Sequence, residues 1–211
     1  MKKVLGLSIA ALLLIGLAVG GTFAYFSNTE TSTGNTFTAG TLNLTVNGND
    51  GANTVEFTVT NANPGESGAG TWTLVNTGNL DGFVDLENIS VTNAENYDAN
   101  TDEAEAVDDS DTSNATGGGE LGANLDVVLF IDDGSGGGTA NNGIQDGTEA
   151  TIYSGDLDSI AGSYDQNLPL AGGATTYISM TWSVDSSVNN IIMGDSATLD
   201  IDVELGQTAG Q

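Results

Sequence analysis

Cysteine and histidine are both absent from this 211-residue chain, proline occurs twice, and Lys and Arg together number 2, at Lys2 and Lys3. Each absence removes a class of chemistry. Without Cys there is neither a disulfide framework nor a thiol for lipid anchoring, so stability must come from packing, strand pairing or ions. Without His there is no H-E-x-x-H pair for zinc, no imidazole base and no Ser–His–Asp triad. Metal ligation falls to carboxylates alone, and no acidic pair stands out from the many surface acids, so the sequence predicts a protein that is not an enzyme. Nucleic acid is excluded as a partner because phosphate binding needs Lys and Arg.

Against the two bases stand 29 Asp and Glu, for a formal net charge of −27. Beyond Lys3 no Lys or Arg is present to form a side-chain salt bridge. Such a surface repels itself unless salt screens it or cations bind. A solvated surface adapted to a salty or cation-rich medium is the first explanation, and specific metal sites are the second.

The two lysines open a different kind of segment. Met1-Lys2-Lys3 followed by an apolar run from Val4 to about Gly21 has the layout of a secretory signal, with small residues at Thr22 and Ala24 for a signal peptidase. Cleavage is expected around Ala24, Tyr25 and Phe26. The run is marginal in length for a membrane span, and the expectation is a secreted protein that meets the membrane only during export. Residues 1–25 then form a signal peptide. Phe26 to Gly40 is polar and thin, with widely spaced Phe26, Phe37 and Ala39, and cannot bury enough surface to fold alone.

From residue 41 onward the sequence reads as one all-β domain. Gly is abundant at 30 residues, and short alternating runs are separated by turn signals. Leu42, Leu44 and Val46 alternate, as do Val55, Phe57 and Val59, which suggests a hairpin across Asn47 to Gly51. Trp72 and Leu74 mark another strand before Asn76-Thr77-Gly78. Val84 and Leu86 shift parity against Ile89 and Val91, which predicts a bulge. Leu125 to Ile131 is a dense apolar strand, and Asp156 to Gly162 has the look of a helical turn. Ile178, Met180, Trp182 and Val184 alternate, and so do Leu199, Ile201, Val203 and Leu205, which puts Asp200, Asp202 and Glu204 on one solvent face. Eight or nine such strands give a jelly-roll β-sandwich, with Trp72 and Trp182 in its core.

Two acidic loops interrupt the strands, at residues 93–124 and 132–149. The second offers Asp132, Asp133, Asn142, Asp146 and Glu149, oxygen ligands of the kind calcium takes, although their spacing does not match an EF-hand. The competing reading for both loops is a flexible solvated surface. No cofactor is required by the fold, and Ca2+ is the ion these loops would suit. Three N-x-S/T sequons stand at Asn43, Asn88 and Asn114.

The stretch GGTFAYFSNTETSTGNTFTAGTLNLTV, from Gly20 to Val46, resembles the N-terminal signature of the TasA/camelysin family, whose signal peptide is cut by a SipW-like signal peptidase. NPGESGAGTWTLVNTGNLDG, the strand around Trp182 and the closing strand with the Gln207 to Gln211 tail are similar to the same family. The resemblance implies a secreted jelly-roll subunit of extracellular, biofilm-associated filaments, related to archaeal bundling pilins, in which each N-terminal segment is donated as a strand to a neighbouring copy. On that footing Phe26 and Phe37 are the expected anchors, Gly34 and Gly40 allow close backbone passage, and Ala39 completes the donor strand. The partners are further copies of the chain, head to tail, and a signal peptidase. Camelysins have been classed as metallopeptidases, a reading against which the missing His and Cys weigh. The alternative is a monomeric, calcium-dependent cell-surface binding module built on the acidic loops.

Overall fold

A computed structural model of the protein describes residues 40–50, 54–95 and 118–209. Among the described residues ten strands run in the order β1 Leu44–Val46, β2 Asn49–Asp50, β3 Thr54–Thr60, β4 Ser67–Asn76, β5 Gly82–Ala94, β6 Leu125–Ile131, β7 Thr151–Asp156, β8 Tyr164–Leu170, β9 Thr175–Val184 and β10 Ser196–Gly206, and the helical elements there are short 3-10 turns. The fold is all-β. Every pairing is antiparallel, in a six-stranded sheet ordered β2-β1-β4-β9-β6-β7 and a four-stranded sheet ordered β3-β10-β5-β8.

The two sheets share one apolar core, as alternation requires of a sandwich. Leu74, Leu129 and Met180 from the larger sheet meet Val84, Leu86, Leu199 and Ile201 from the smaller, all of them buried. A fully buried side chain of this size contributes about 1.5–3 kcal/mol relative to its exposed state. Trp72 is core, its ring meeting Phe57 edge to face with centroids 6.2 Å apart. Trp182 is only partly buried, with its ring lying over Gly68, where a Cβ would come within 2.8 Å of it.

The first hairpin differs from expectation. Asn47 and Gly48 hold φ of 50° and 79°, the left-handed pair of a tight hairpin turn, and this turn sends β1 into the two-residue β2 rather than into Val55–Val59. β3 lies in the opposite sheet and pairs with β10 from Thr54↔Asp202 to Thr60↔Ser196. The expected bulge is present: between Asp200↔Ser90 and Asp202↔Glu87 the β5 strand carries one residue more than β10, and Asn88 there has φ 49°. The turn expected in 156–162 is the 3-10 turn Leu157–Ser159. Asn76, fully buried, pins the β4–β5 connection to β8, its Nδ2 donating to the carbonyls of Leu80 (2.8 Å) and Leu170 (3.2 Å) while its Oδ1 accepts from Gly78 N–H.

Candidate functional site

The loop between β6 and β7 is folded around its own carboxylates. Asp132, fully buried, accepts at Oδ2 from Gly143 N–H (2.9 Å) and the Ser179 hydroxyl (2.7 Å), and at Oδ1 from Asn142 N–H (3.4 Å). Ser179 spends its proton on Asp132, so the 2.7 Å contact between its Oγ and Thr71 Oγ1 has Thr71 as donor. Glu149 bridges Gly134 N–H (2.9 Å) and Asp146 N–H (3.0 Å). Asp146 takes Thr139 N–H (2.9 Å) and the Asn142 amide (3.1 Å). Asp133 is exposed and accepts from Ser135 N–H. Asn142 and Asp146 are thus together, Asp132 and Glu149 each fasten a different part of the loop, and Asp133 stands apart.

Of the residues expected in export and polymerisation, Ala24, Tyr25, Phe26, Gly34, Phe37 and Ala39 lie outside the described residues, as does the sequon at Asn114. Gly40 packs against Leu80, whose side chain occupies the place a Cβ at Gly40 would take. Asn43 and Asn88 come together at one pocket of about 330 Å³ that is also lined by Glu87, Asp202 and Glu204. Both sequon amides already donate: Asn43 Nδ2 to Thr77 Oγ1 (2.9 Å) and Asp50 Oδ2 (3.3 Å), and Asn88 Nδ2 to Asp202 Oδ2 (3.0 Å).

A group that sequence reasoning missed lies at the far end of the sandwich. Glu95 follows β5, Glu120 opens the 3-10 turn Leu121–Asn124, and Asp195 precedes β10; one ligating oxygen from each falls within 4.8 Å of the others. Glu95 and Asp195 are buried at 1% and 0% exposure, and Glu120 is half-buried. Local structure fixes the cluster. Asp195 Oδ2 accepts Glu120 N–H (2.7 Å) and Leu121 N–H (3.1 Å), so the start of the turn is held on the β10 side. Asp195's own carbonyl takes Asn61 N–H (2.9 Å). Gly119 makes the approach possible, since a Cβ there would stand 2.9 Å from the Ala94 carbonyl and 3.1 Å from Asp195 Cγ. Among the described residues this is the sole group of three such acids close enough to share an ion. Positions 95, 120 and 195 carry no spacing motif, and nothing local in the sequence sets these three apart from the other acids.

No curated protein matches the chain. The family model described as camelysin metallo-endopeptidase matches it across residues 1–211. That match corrects the expectation of a protein without enzymatic activity, because the family is described by a peptidase activity. The expectation counted imidazole and thiolate ligands and discounted carboxylates for want of a distinguishing motif, whereas folding gathers Glu95, Glu120 and Asp195 into one cluster. Three oxygen donors suit a hard divalent cation, and the donor set lacks the nitrogen and sulfur ligands usual for zinc. The residues present therefore fit a metal of the hard class. The chain belongs to the camelysin family, the TasA/camelysin family that its N-terminal signature resembles.

Proposed function

We propose that the protein is a secreted structural subunit of an extracellular filament, a biofilm-matrix fibre or a bundling pilus, in which the segment from Phe26 to Gly40 of one copy adds as a strand to the next. Family membership is consistent with a matrix-fibre subunit. The observation that carries the finer reading is the half-covered edge of β4. β4 spans Ser67–Asn76, yet β1 reaches only Leu74–Asn76 on that side, and Ser67 to Trp72 have no strand partner there among the described residues. Open main-chain donors and acceptors of this kind accept an added strand. Gly68 and Gly70 lie along the same stretch, with the Trp182 and Phe57 rings against them, so backbone rather than side chain meets the incoming strand. Phe26 and Phe37 supply the large side chains that fix register. Because donor and acceptor are different surfaces, the contact propagates head to tail.

Electron microscopy of protein beginning at Phe26, beside a version lacking Phe26 to Gly40 in the same salt, tests this. Filaments from the first and monomers from the second are expected, and Phe37→Asp should abolish assembly. Folded monomers from both would refute it.

A second reading is favoured by the family description together with the carboxylate cluster: metal-assisted peptide hydrolysis. A bound divalent ion supplies Lewis acidity toward a peptide carbonyl. The chain's own part is to hold it, through Glu95, Glu120 and Asp195. Cleavage of a peptide substrate that is lost on chelation and in Glu120→Gln supports this reading, and no cleavage under any metal condition refutes it.

A further inference from the structure

We infer that the pocket between the β3–β4 connection and the turn before β10 binds one N-acetylated hexosamine unit of a neutral glycan. The inference depends on neither filament assembly nor hydrolysis.

The pocket encloses about 350 Å³ between residues 61–64 on one side and residues 189, 190 and 192–194 on the other. That is the small end of the range for ligand sites, about 300–1,000 Å³, so it takes one ring rather than a chain. Its lining holds no ionisable side chain. In a chain whose ionisable side chains beyond Lys3 are acids and tyrosines, that neutrality selects a ligand. An anion would meet the field of a net charge of −27 with no base to hold it, and a metal ion would find no carboxylate in the lining. Glu66, the acid beside the pocket, has its carboxylate occupied by Asn63 N–H (2.8 Å) and Asn63 Nδ2 (3.0 Å).

The rim is built of carboxamides whose remaining hydrogen-bonding capacity is mixed. Asn63 commits Nδ2 to Glu66 and keeps Oδ1 as an acceptor. Asn189 is the reverse: its Oδ1 caps the 3-10 turn Asn190–Ile192 by accepting Ile191 N–H (3.4 Å), and its NH2 remains a donor. Asn61 keeps both, since its carboxamide has no partner among the described residues, while its backbone is held at φ 52° with its N–H on the Asp195 carbonyl (2.9 Å). A sugar hydroxyl donates and accepts at once, and an acetamido group carries one N–H and one C=O, so both suit such a set. A carboxylate or an ammonium would leave half of it unpaired. The floor points to the acetamido group. Ala62 and Ile192 are exposed by only 6% and 1%, and Met193 is half-buried; a methyl lying on them gains contact that a hydroxyl does not.

The test titrates the full chain with N-acetylglucosamine, glucose and glucuronate and follows saturation transfer to each ligand by NMR, which reads binding to monomers and assemblies alike. N-acetylglucosamine should bind saturably with a Kd of about 1 mM, the scale expected of one small ring in an open site. Its acetyl methyl should show the strongest transfer, glucose should bind at least about fivefold more weakly, and glucuronate should not bind. Asn189→Asp keeps the capping oxygen and removes the NH2, and Asn61→Gly removes the carboxamide at a backbone angle that glycine tolerates. Each should weaken N-acetylglucosamine at least about fivefold, with circular dichroism showing that the fold is kept. Those losses in folded variants support the pocket. No saturable transfer, equal binding of glucose or glucuronate, or parental affinity in both folded variants overturns it.

Discussion

Replacing Asp132 by Asn isolates how much the β6–β7 loop owes to one carboxylate. The parent group accepts two short hydrogen bonds, 2.7 Å from Ser179 and 2.9 Å from Gly143, and a longer one of 3.4 Å from Asn142. A hydrogen bond to a charged acceptor contributes about 1.5–3 kcal/mol. Asparagine retains one oxygen and turns an amide NH2 toward groups that also donate, so at least one bond is lost inside a site with no exposure. Removing a buried charge offsets part of this, and the net destabilisation is about 2 kcal/mol. For a domain of this size that lowers the melting temperature by about 4–8 °C. Asp133→Asn, on an exposed neighbour with a single local bond to Ser135, should stay within about 0.5 kcal/mol of the parent. Thermal melts by circular dichroism give the stability difference, and hydrogen exchange at the Gly143 amide locates it. Equal melts for parent and Asp132→Asn, or an equal loss in Asp133→Asn, would refute the reasoning. Running the pair with and without Ca2+ tests the calcium expectation for this loop as well, since ligand loss would make the difference calcium-dependent.

Two more outcomes follow from the same structure. Leu129→Ala, at a side chain with 0% exposure in the shared core, should cost about 2–5 kcal/mol in denaturant unfolding without changing the assembled strand order. Glu66 is held below its ordinary carboxylate value of 4.5, first by Asn63 N–H and then by the Asn63 side chain; a lowered folded pKa stabilises above the unfolded value and is lost as pH falls through the folded one, so the Asn63–Glu66 turn should loosen as pH falls below the ordinary value of 4.5 and Glu66→Gln should flatten that dependence in amide exchange of the turn.

How far the sequence led depended on whether a signal was local. β9 and β10 alternate cleanly, and Ile178, Met180, Val184, Leu199, Ile201 and Val203 are buried where period two places them, while Trp182 and Leu205 are only half-buried; Asp200 and Asp202 are half-buried and Glu204 exposed on the outer side. The bulge after Leu86 showed as a parity slip because one extra residue reverses every later side chain. β8 escaped notice: YDQNLPL has little alternation and contains Pro169, which a strand tolerates here because β8 is the edge of its sheet. The partner of β3 was misjudged for another reason. Adjacent alternating runs favour a hairpin, but the Asn47-Gly48 turn consumed that partner within two residues. The carboxylate cluster is a property of tertiary closure, and a chain with 29 acids gives no local mark to the three that meet.

That closure at Gly119 has a consequence for how the chain can vary. The Ala94 carbonyl and Gly119 are in van der Waals reach, so the chain leaves the sandwich at Glu95 and returns to it at virtually the same spot. For two ends held this close, the loop-closure cost grows by only about 0.6 kcal/mol per doubling of the joining length. Both ends of the connection are therefore held by the sandwich itself, so the register of β5 and β10 does not depend on how many residues join Glu95 to Gly119.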